Sequence, residues 1–421
     1  MTSAESVGRA SELLGSPERR IHTVASQEWS LRRCRHCRRS SLLLLPEAPM
    51  VLECRVEDKI TCHAWNADRT MVAVCPNSNV VNIYRVPASA DDPWERVATL
   101  AEHDALVTDV AWAPKTNRIL TTSQDRNAYV WNLEANGEWK PMLVILRIAA
   151  AATSVNWSAD EQKFAVGSGS KTVPICYFEA ENNFWVSKML KGHRSTISAV
   201  AWHPSTPVVA TACTDFKCRV YSAYLKSVDG KAVSTPWGDN PKFGTQFLEI
   251  ESLGWVRGVA WSPAGDTFAF SSHNSTVSFV DVVSGSTQTV RMSELPLTNI
   301  IFLPDGSLVG AGHSYDPILF TRVAEGWKVM GKLSGEKKAK KEVSNFASAK
   351  NMWAASTTTG QAGAVDVTLG SIHQNKVCGL QLFGSSFAGQ PAEFSTSALD
   401  GKIAFWSRVE ITATMSALAI N

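Results

Sequence analysis

Charge is scarce in this chain. Only 19% of its residues are Asp, Glu, Lys or Arg, and 41 basic against 39 acidic side chains leave a net charge of +2. Without a one-signed field the chain lacks the sequence-independent attraction that dominates nucleic-acid binding, so no nucleic-acid partner is expected. Long apolar runs are lacking too. A membrane span needs about 18 consecutive apolar residues. The run Leu42–Leu45 is far shorter, stops at Pro46 and lies too far from Met1 for a secretory signal. A soluble, cytoplasmic chain with no membrane partner is expected. Cysteine is present but in the wrong pattern for a secreted scaffold. There are nine, an odd number, scattered through strand-like segments such as Ile175-Cys176-Tyr177 and Lys217-Cys218-Arg219. Reduced, mostly buried thiols follow.

Recognisable catalytic chemistry is also lacking. Gly167-Ser168-Gly169-Ser170 is the one phosphate-loop lookalike, and it lacks the Lys-Ser/Thr ending and the following helix that a phosphate loop needs. His63, His203, His273 and His313 follow no metal-ligand spacing, and Cys34-Arg35-His36-Cys37 is half a zinc site with no second pair nearby. No active site, metal or cofactor is expected.

What the chain has is tryptophan and repetition. It carries 15 Trp in 421 residues and is 44% apolar, enough for a core of many short strands packing large aromatics. An aliphatic residue, a spacer and an aromatic recur, often with Pro two residues later. The copies are Cys62-His63-Ala64-Trp65, Val110-Ala111-Trp112-Ala113-Pro114, Val155-Asn156-Trp157, Val200-Ala201-Trp202-His203-Pro204, Val259-Ala260-Trp261-Ser262-Pro263 and Ile300-Ile301-Phe302-Leu303-Pro304. The aromatics lie 41 to 59 residues apart, near the period of about 40–45 of a four-stranded propeller blade. After each comes an alternating segment ending in a bulky residue, at Tyr84, Trp131, Tyr177, Tyr221, Val280, Phe320 and Trp406. Period-two alternation there predicts half-buried strands.

Three units share a further mark. Asp125, Asp215 and Asp400 each stand six residues before the bulky end, at Trp131, Tyr221 and Trp406. His103, His193 and His373 each stand nine residues before the inner-strand positions Trp112, Trp202 and Leu382. In a blade that His occupies the loop entering the inner strand, and the Asp occupies the turn between the second and third strands. A structural His–Asp hydrogen bond is expected in all three.

Seven units result, near 60–84, 103–131, 153–177, 193–221, 255–280, 298–320 and 373–406. The expected fold is all-β, a seven-bladed WD-repeat β-propeller over 51–407, with residues 51–58 supplying the missing outer strand of the last blade. Flanking it are an extension at 1–50 and a tail at 408–421.

Two insertions break the period. The first, 222–247, contains Trp237-Gly238-Asp239-Asn240-Pro241 and reads as a loop. The second, about 332–370, opens with Gly335-Glu336-Lys337-Lys338-Ala339-Lys340-Lys341 and then repeats Val343, Phe346, Ala347, Lys350 and Trp353 at helical spacing. A short helix offering Phe346 and Trp353 would suit a partner's groove. The same residues also fit a helix folded back on the propeller, or a lysine-rich loop.

Beyond the repeat, the chain resembles the family of propeller subunits 1 of the actin-related protein 2/3 complex, the actin filament-branching machine. The stretches that carry this include Cys62-His63-Ala64-Trp65-Asn66 with Asp68-Arg69-Thr70, and Asp125-Arg126-Asn127-Ala128-Tyr129-Val130-Trp131. Others are Lys140-Pro141 with Leu143-Val144-Ile145-Leu146-Arg147-Ile148, Lys163-Phe164-Ala165-Val166-Gly167-Ser168-Gly169-Ser170, Ile175-Cys176-Tyr177-Phe178-Glu179, Asp215-Phe216-Lys217-Cys218-Arg219 and Pro236-Trp237-Gly238. Many sit on outer strands and loops, where propellers differ from one another. The extension 1–50 has no counterpart, and the second insertion is shorter and divergent.

The resemblance implies a non-catalytic subunit of the actin cytoskeleton. Its implied partners are actin-related proteins, the other subunits of the complex, the actin filament and nucleation-promoting factors. It further implies that Val343, Phe346 and Trp353 lie in a segment contacting the existing filament. Two other readings have a different class of function. One is a WD-repeat adaptor of another complex, such as a ubiquitin ligase. The other is a propeller hydrolase, which would need a channel lined by acids, histidines or metal.

Overall fold

The repeat is a four-stranded antiparallel sheet, used seven times. The structure is a computed structural model that describes residues 51–230, 233–333 and 371–407. The expected extension 1–50, the tail 408–421, and the second insertion with its helix and Val343, Phe346 and Trp353 lie outside the described residues.

Each blade runs from an inner to an outer strand. Blade 1 spans Cys62–Trp65 to Glu95–Leu100, blade 2 Val107–Trp112 to Trp139–Ile145, and blade 3 Ala152–Trp157 to Phe184–Leu190. Blade 4 spans Ile197–Trp202 to Gln246–Glu251, blade 5 Val256–Trp261 to Thr287–Arg291, and blade 6 Leu297–Phe302 to Gly326–Lys332. Blade 7 takes Val377–Phe387, Gln390–Ala398 and Lys402–Trp406 from late in the chain. Its outer strand is Leu52–Arg55, paired antiparallel so that Leu52 faces Phe405 and Arg55 faces Lys402. The seam gives blade 7 its fourth strand and covers the edge that Lys402–Trp406 would otherwise expose.

The core is divided rather than central. Seven apolar clusters each lie between two neighbouring blades, including the one between blades 7 and 1 around Trp65, Phe383, Phe387 and Phe405. This explains the fully buried second strands, such as Val208–Cys213 and Thr267–Ser272. Both of their faces meet a neighbouring sheet, so alternation disappears there.

The recurring tryptophan has a second use. In three copies its indole N–H donates to the blade before it: Trp157 to Ala111 O at 3.4 Å, Trp202 to Asn156 O at 3.0 Å, Trp261 to Ala201 O at 3.2 Å, whereas Trp112 donates to Asn117 of its own blade at 2.8 Å. Trp65 closes the ring by donating to Ser395 Oγ of blade 7 at 2.8 Å. In these copies the tryptophan that marks the sequence thus also makes an inter-blade bond.

The first insertion is more built than a loop. It holds a helical turn, Lys226–Asp229, and a small hairpin pairing Ser234–Thr235 with Gly238–Asp239. Trp237 stacks on Phe247 at 4.8 Å and meets Trp261 of blade 5 edge-on. Asp229 accepts from the ammonium of Lys163 in blade 3 at 2.5 and 2.6 Å. The insertion therefore straps blade 4 to both of its neighbours.

Candidate functional site

In blades 2 and 7 the marked residues meet through a threonine that sequence reasoning missed. Trp131 Nε1 donates to Thr121 Oγ1 at 3.0 Å. The Asp125 carboxylate can only accept, so His103 carries its proton on Nδ1 and donates it there at 2.7 Å; its bare Nε2 accepts from the Thr121 hydroxyl, 2.8 Å away. Asp125 also accepts the backbone N–H groups of Asp104 and Asn127 at 3.2 and 2.8 Å. Blade 7 repeats the relay: Trp406 to Thr396 at 2.8 Å, Thr396 to His373 at 2.7 Å, His373 to Asp400 at 3.2 Å. Burial would raise the Asp400 carboxyl, but the hydrogen bond and charge of His373 together with the backbone N–H groups of Gln374 and Lys402 outweigh it, and the group lies below its ordinary value.

Blade 4 differs from the expectation. No His193–Asp215 bond forms, because Asp215 accepts instead from Arg219 Nη1 at 2.8 and 3.1 Å. The cause is the residue at the end of the strand. Tyr221 replaces the tryptophan, and its hydroxyl donates to Gln246. Thr211, with no indole to satisfy, turns its proton to the carbonyl of Arg219 at 3.2 Å. His193 must then donate from Nε2 to Thr211, 2.9 Å away. Its Nδ1 becomes a bare acceptor with no partner, and a carboxylate cannot donate to it. Arg219 also bonds Glu249 at 2.8 Å.

This reversal has a pH consequence. Burial, reinforced by the Arg219 guanidinium, holds His193 down to about 4. The folded value lies below the unfolded value of about 6.5. As pH falls, the unfolded state therefore takes the proton first, and stability is lost between those two values. Over that window the parent should lose about 1.4 kcal/mol per pH unit more than His193→Gln. Urea unfolding at about pH 7, 6 and 5 checks this, and parallel slopes would show that His193 titrates normally.

The inner strands enclose a central channel of about 660 Å3. Several of its polar groups tie one blade to the next. A bulge follows the first residue of the inner strand in six blades, for example between Val107 and Asp109 and between Leu297 and Asn299. It aims the next side chain at the following blade. Asp109 accepts Val155 N–H at 2.8 Å, and Asn299 donates to Cys378 O at 2.7 Å. Burial raises Asp109 to about 6. At the corresponding place Gly379 leaves room for His63, whose ring bridges Ser397 and Ser395 at 2.8 and 2.9 Å; a Cβ there would lie 2.5 Å from His63 Nδ1. Burial lowers His63 to about 3. Among the described residues no group of three or more His, Cys, Asp or Glu is placed to hold a metal. No described helix is long and apolar enough to cross a membrane.

The surface that stands out is apolar. On the face carrying the His loops, Leu253 is 93% exposed, Leu295 57%, Trp255 48% and Phe216 46%. Ser252 N–H donates to Phe216 O at 2.8 Å, which joins the blade 4 turn to the loop entering blade 5. Trp255 lies 5.5 Å from the His273 ring, and His273 lies 6.1 Å from His313. Burial lowers His313, and the cationic Lys376, His273 and Arg257 add to the effect. Single loop hydrophobics have no period, so only the folded ring gathers them.

Comparison with known proteins agrees with the repeat. A family profile described as "WD domain, G-beta repeat" matches residues 94–132 and 185–222. The chain is similar to actin-related protein 2/3 complex subunit 1B of Arabidopsis thaliana, at 43% identity over 84% of this chain and 95% of the relative. It is similar to subunit 1A-B of Xenopus laevis, at 40% identity over 86% of this chain and 98% of the relative. It is also similar to subunit 1 of Schizosaccharomyces pombe, at 36% identity over 82% and 96%. With identity at this level along nearly the whole of each relative, the chain belongs to the actin-related protein 2/3 complex subunit 1 family.

Proposed function

We propose that this chain is a non-catalytic structural subunit of an actin-related protein 2/3 complex and works by holding partners in fixed orientation. The observation that supports this is the apolar group Phe216, Leu253, Trp255 and Leu295, exposed on a ring in which several channel polar groups tie one blade to the next. Large apolar side chains exposed together on neighbouring loops of one face suit a protein-binding site. A closed ring presents it with little ordering cost on assembly. Cytoplasmic placement on the actin cytoskeleton belongs to the same proposal. So do contacts with filament actin and nucleation-promoting factors. Residues Val343, Phe346 and Trp353 are assigned to the filament contact through the family resemblance.

The test is a native pull-down of the tagged chain, read by mass spectrometry. Actin-related proteins and the remaining subunits should be recovered in near-equal amounts, and Leu253→Asp with Trp255→Asp should reduce that recovery about tenfold or more. A folded monomer without actin-related proteins would overturn the proposal, and components of a different assembly would favour the adaptor reading.

A further inference from the structure

The function proposed above uses none of the cysteines, yet two of them face each other. Cys62 and Cys75 are register partners on the first two strands of blade 1. Directly opposed residues of an antiparallel pair project from the same face, with Cβ atoms about 4.5–5.5 Å apart. A disulfide spans about 3.5–4.5 Å between Cβ atoms, so a small closing of the pair suffices. Both residues belong to the apolar cluster between blades 1 and 2. Among the described residues the other strand cysteines have no such neighbour: Cys54 faces Ile403, Cys176 faces Phe164, Cys213 faces Ile197, Cys218 faces Ala212, and Cys378 sits at a bulge.

The two sulfurs are also unequal. The neighbouring Cys62 thiol, against the opposing effect of burial, holds Cys75 down to about 6; Thr61 and the backbone at Ser78 and Asn77 add to this. The Cys75 neighbour and burial push Cys62 well above the usual thiol range. Two facing thiols, one held low and one held high, have the arrangement of a nucleophile with its resolving partner.

We propose that Cys62 and Cys75 are a peroxide-responsive dithiol that forms a reversible intramolecular disulfide. The Cys75 thiolate attacks one oxygen of hydrogen peroxide and breaks the O–O bond. This gives a sulfenic acid and hydroxide, which takes up the proton the thiol had released. The Cys62 sulfur then attacks the Cys75 sulfur, forming the S–S bond, and its proton leaves with the displaced hydroxyl as water. Two thiols lose two electrons in all, and one peroxide becomes two waters. A dithiol reductant reverses the change. Cys75 ends its strand, so opening of the turn after it admits a small oxidant, and the Cys62 strand lines the channel.

The turn after Cys75 is tied to blade 2. Val107 N–H donates to Ser78 O at 2.9 Å, Asn79 Nδ2 donates to His103 O at 2.9 Å, and Cys75 Sγ lies 3.7 Å from Val107 O. Drawing that sulfur towards Cys62 loosens this tie beside the His103 relay. Oxidation in blade 1 is thereby felt on the loop face of blade 2.

The experiment treats the reduced full chain with hydrogen peroxide, blocks free thiols by alkylation and maps linked peptides by mass spectrometry. A Cys62–Cys75 link that disappears with dithiothreitol is expected. Cys62→Ser should stop at a sulfenic acid on Cys75 that dimedone traps. Cys75→Ser should form no link at Cys62. Serine suits that turn, because Ser123 stands at the matching place in blade 2 and accepts Asp125 N–H at 3.1 Å. Should either variant fail to fold, alkylation rates on the parent decide: Cys75 should react about tenfold faster than Cys176 near neutral pH. Equal rates, or links formed only elsewhere, would overturn the proposal.

Discussion

Asp229→Ala should destabilise the protein by about 3–5 kcal/mol, far more than the loss of an ordinary surface carboxylate. Its partner is the reason. The Lys163 side chain is 1% exposed, and its ammonium has Asp229, one carbonyl at Ala223 O (3.1 Å) and the ring of Trp202 (5.3 Å) around it. Burial already lowers Lys163 despite the carboxylate. Removing Asp229 leaves a desolvated cation with a single carbonyl, and the strap formed by the first insertion loses its anchor on blade 3. The double variant Asp229→Ala with Lys163→Met removes the stranded charge and should recover most of the loss. Urea midpoints of the parent, the two single variants Asp229→Ala and Lys163→Met, and the double variant make the comparison. A single variant no weaker than the double would show that Lys163 reaches water without its partner.

Trp406→Ala should have an effect of similar size, about 3–5 kcal/mol, for a different reason. Trp406 is fully buried at the seam, parallel to Phe394 with ring centres 6.0 Å apart. Its indole N–H also donates to the Thr396 hydroxyl that holds the other ring nitrogen of His373. Alanine creates a cavity and removes that donor from the buried hydroxyl. Trp406→Phe keeps the stack and loses only the N–H, at about 1–2 kcal/mol. Limited proteolysis should cut the alanine variant first in blade 7, where the outer strand, Leu52–Arg55, comes from before blade 1 in the chain. Unchanged protease resistance would mean that the seam is held by the Leu52–Arg55 pairing alone.

The ring was legible because its signals repeat. Each Val-x-Trp copy marks an inner strand, since the tryptophan fills an inter-blade core and, at Trp157, Trp202 and Trp261, also donates to the preceding blade. The closing strand could be inferred by counting: one sheet was short by one strand, and residues 51–58 lay unused. The His–Asp marks located three loops but could not reveal the state of each relay. That state depends on the donor inventory of a third residue, and tryptophan against Tyr221 decides it. Arg219 was visible as a letter, yet its claim on Asp215 needs the two strands in register. The Lys163–Asp229 pair joins residues far apart in the chain through an insertion with no repeat to compare it with. The apolar group at Leu253 and Trp255 escaped for the same reason: it consists of single residues from separate turns.

The seam also governs how the chain reaches its fold. Leu52 pairs with Phe405 and Arg55 with Lys402. The first strand therefore waits through the synthesis of every blade before its partner exists. The contact with the longest loop to close comes last, and until then the outer edge of blade 7 and the faces of blades 1 and 7 stay open to other chains. During synthesis an incomplete ring is a set of sticky sheets. Assembly of this subunit is thus a step that the cell must shelter, and truncation before Trp406 yields a chain prone to aggregate rather than a slightly smaller propeller.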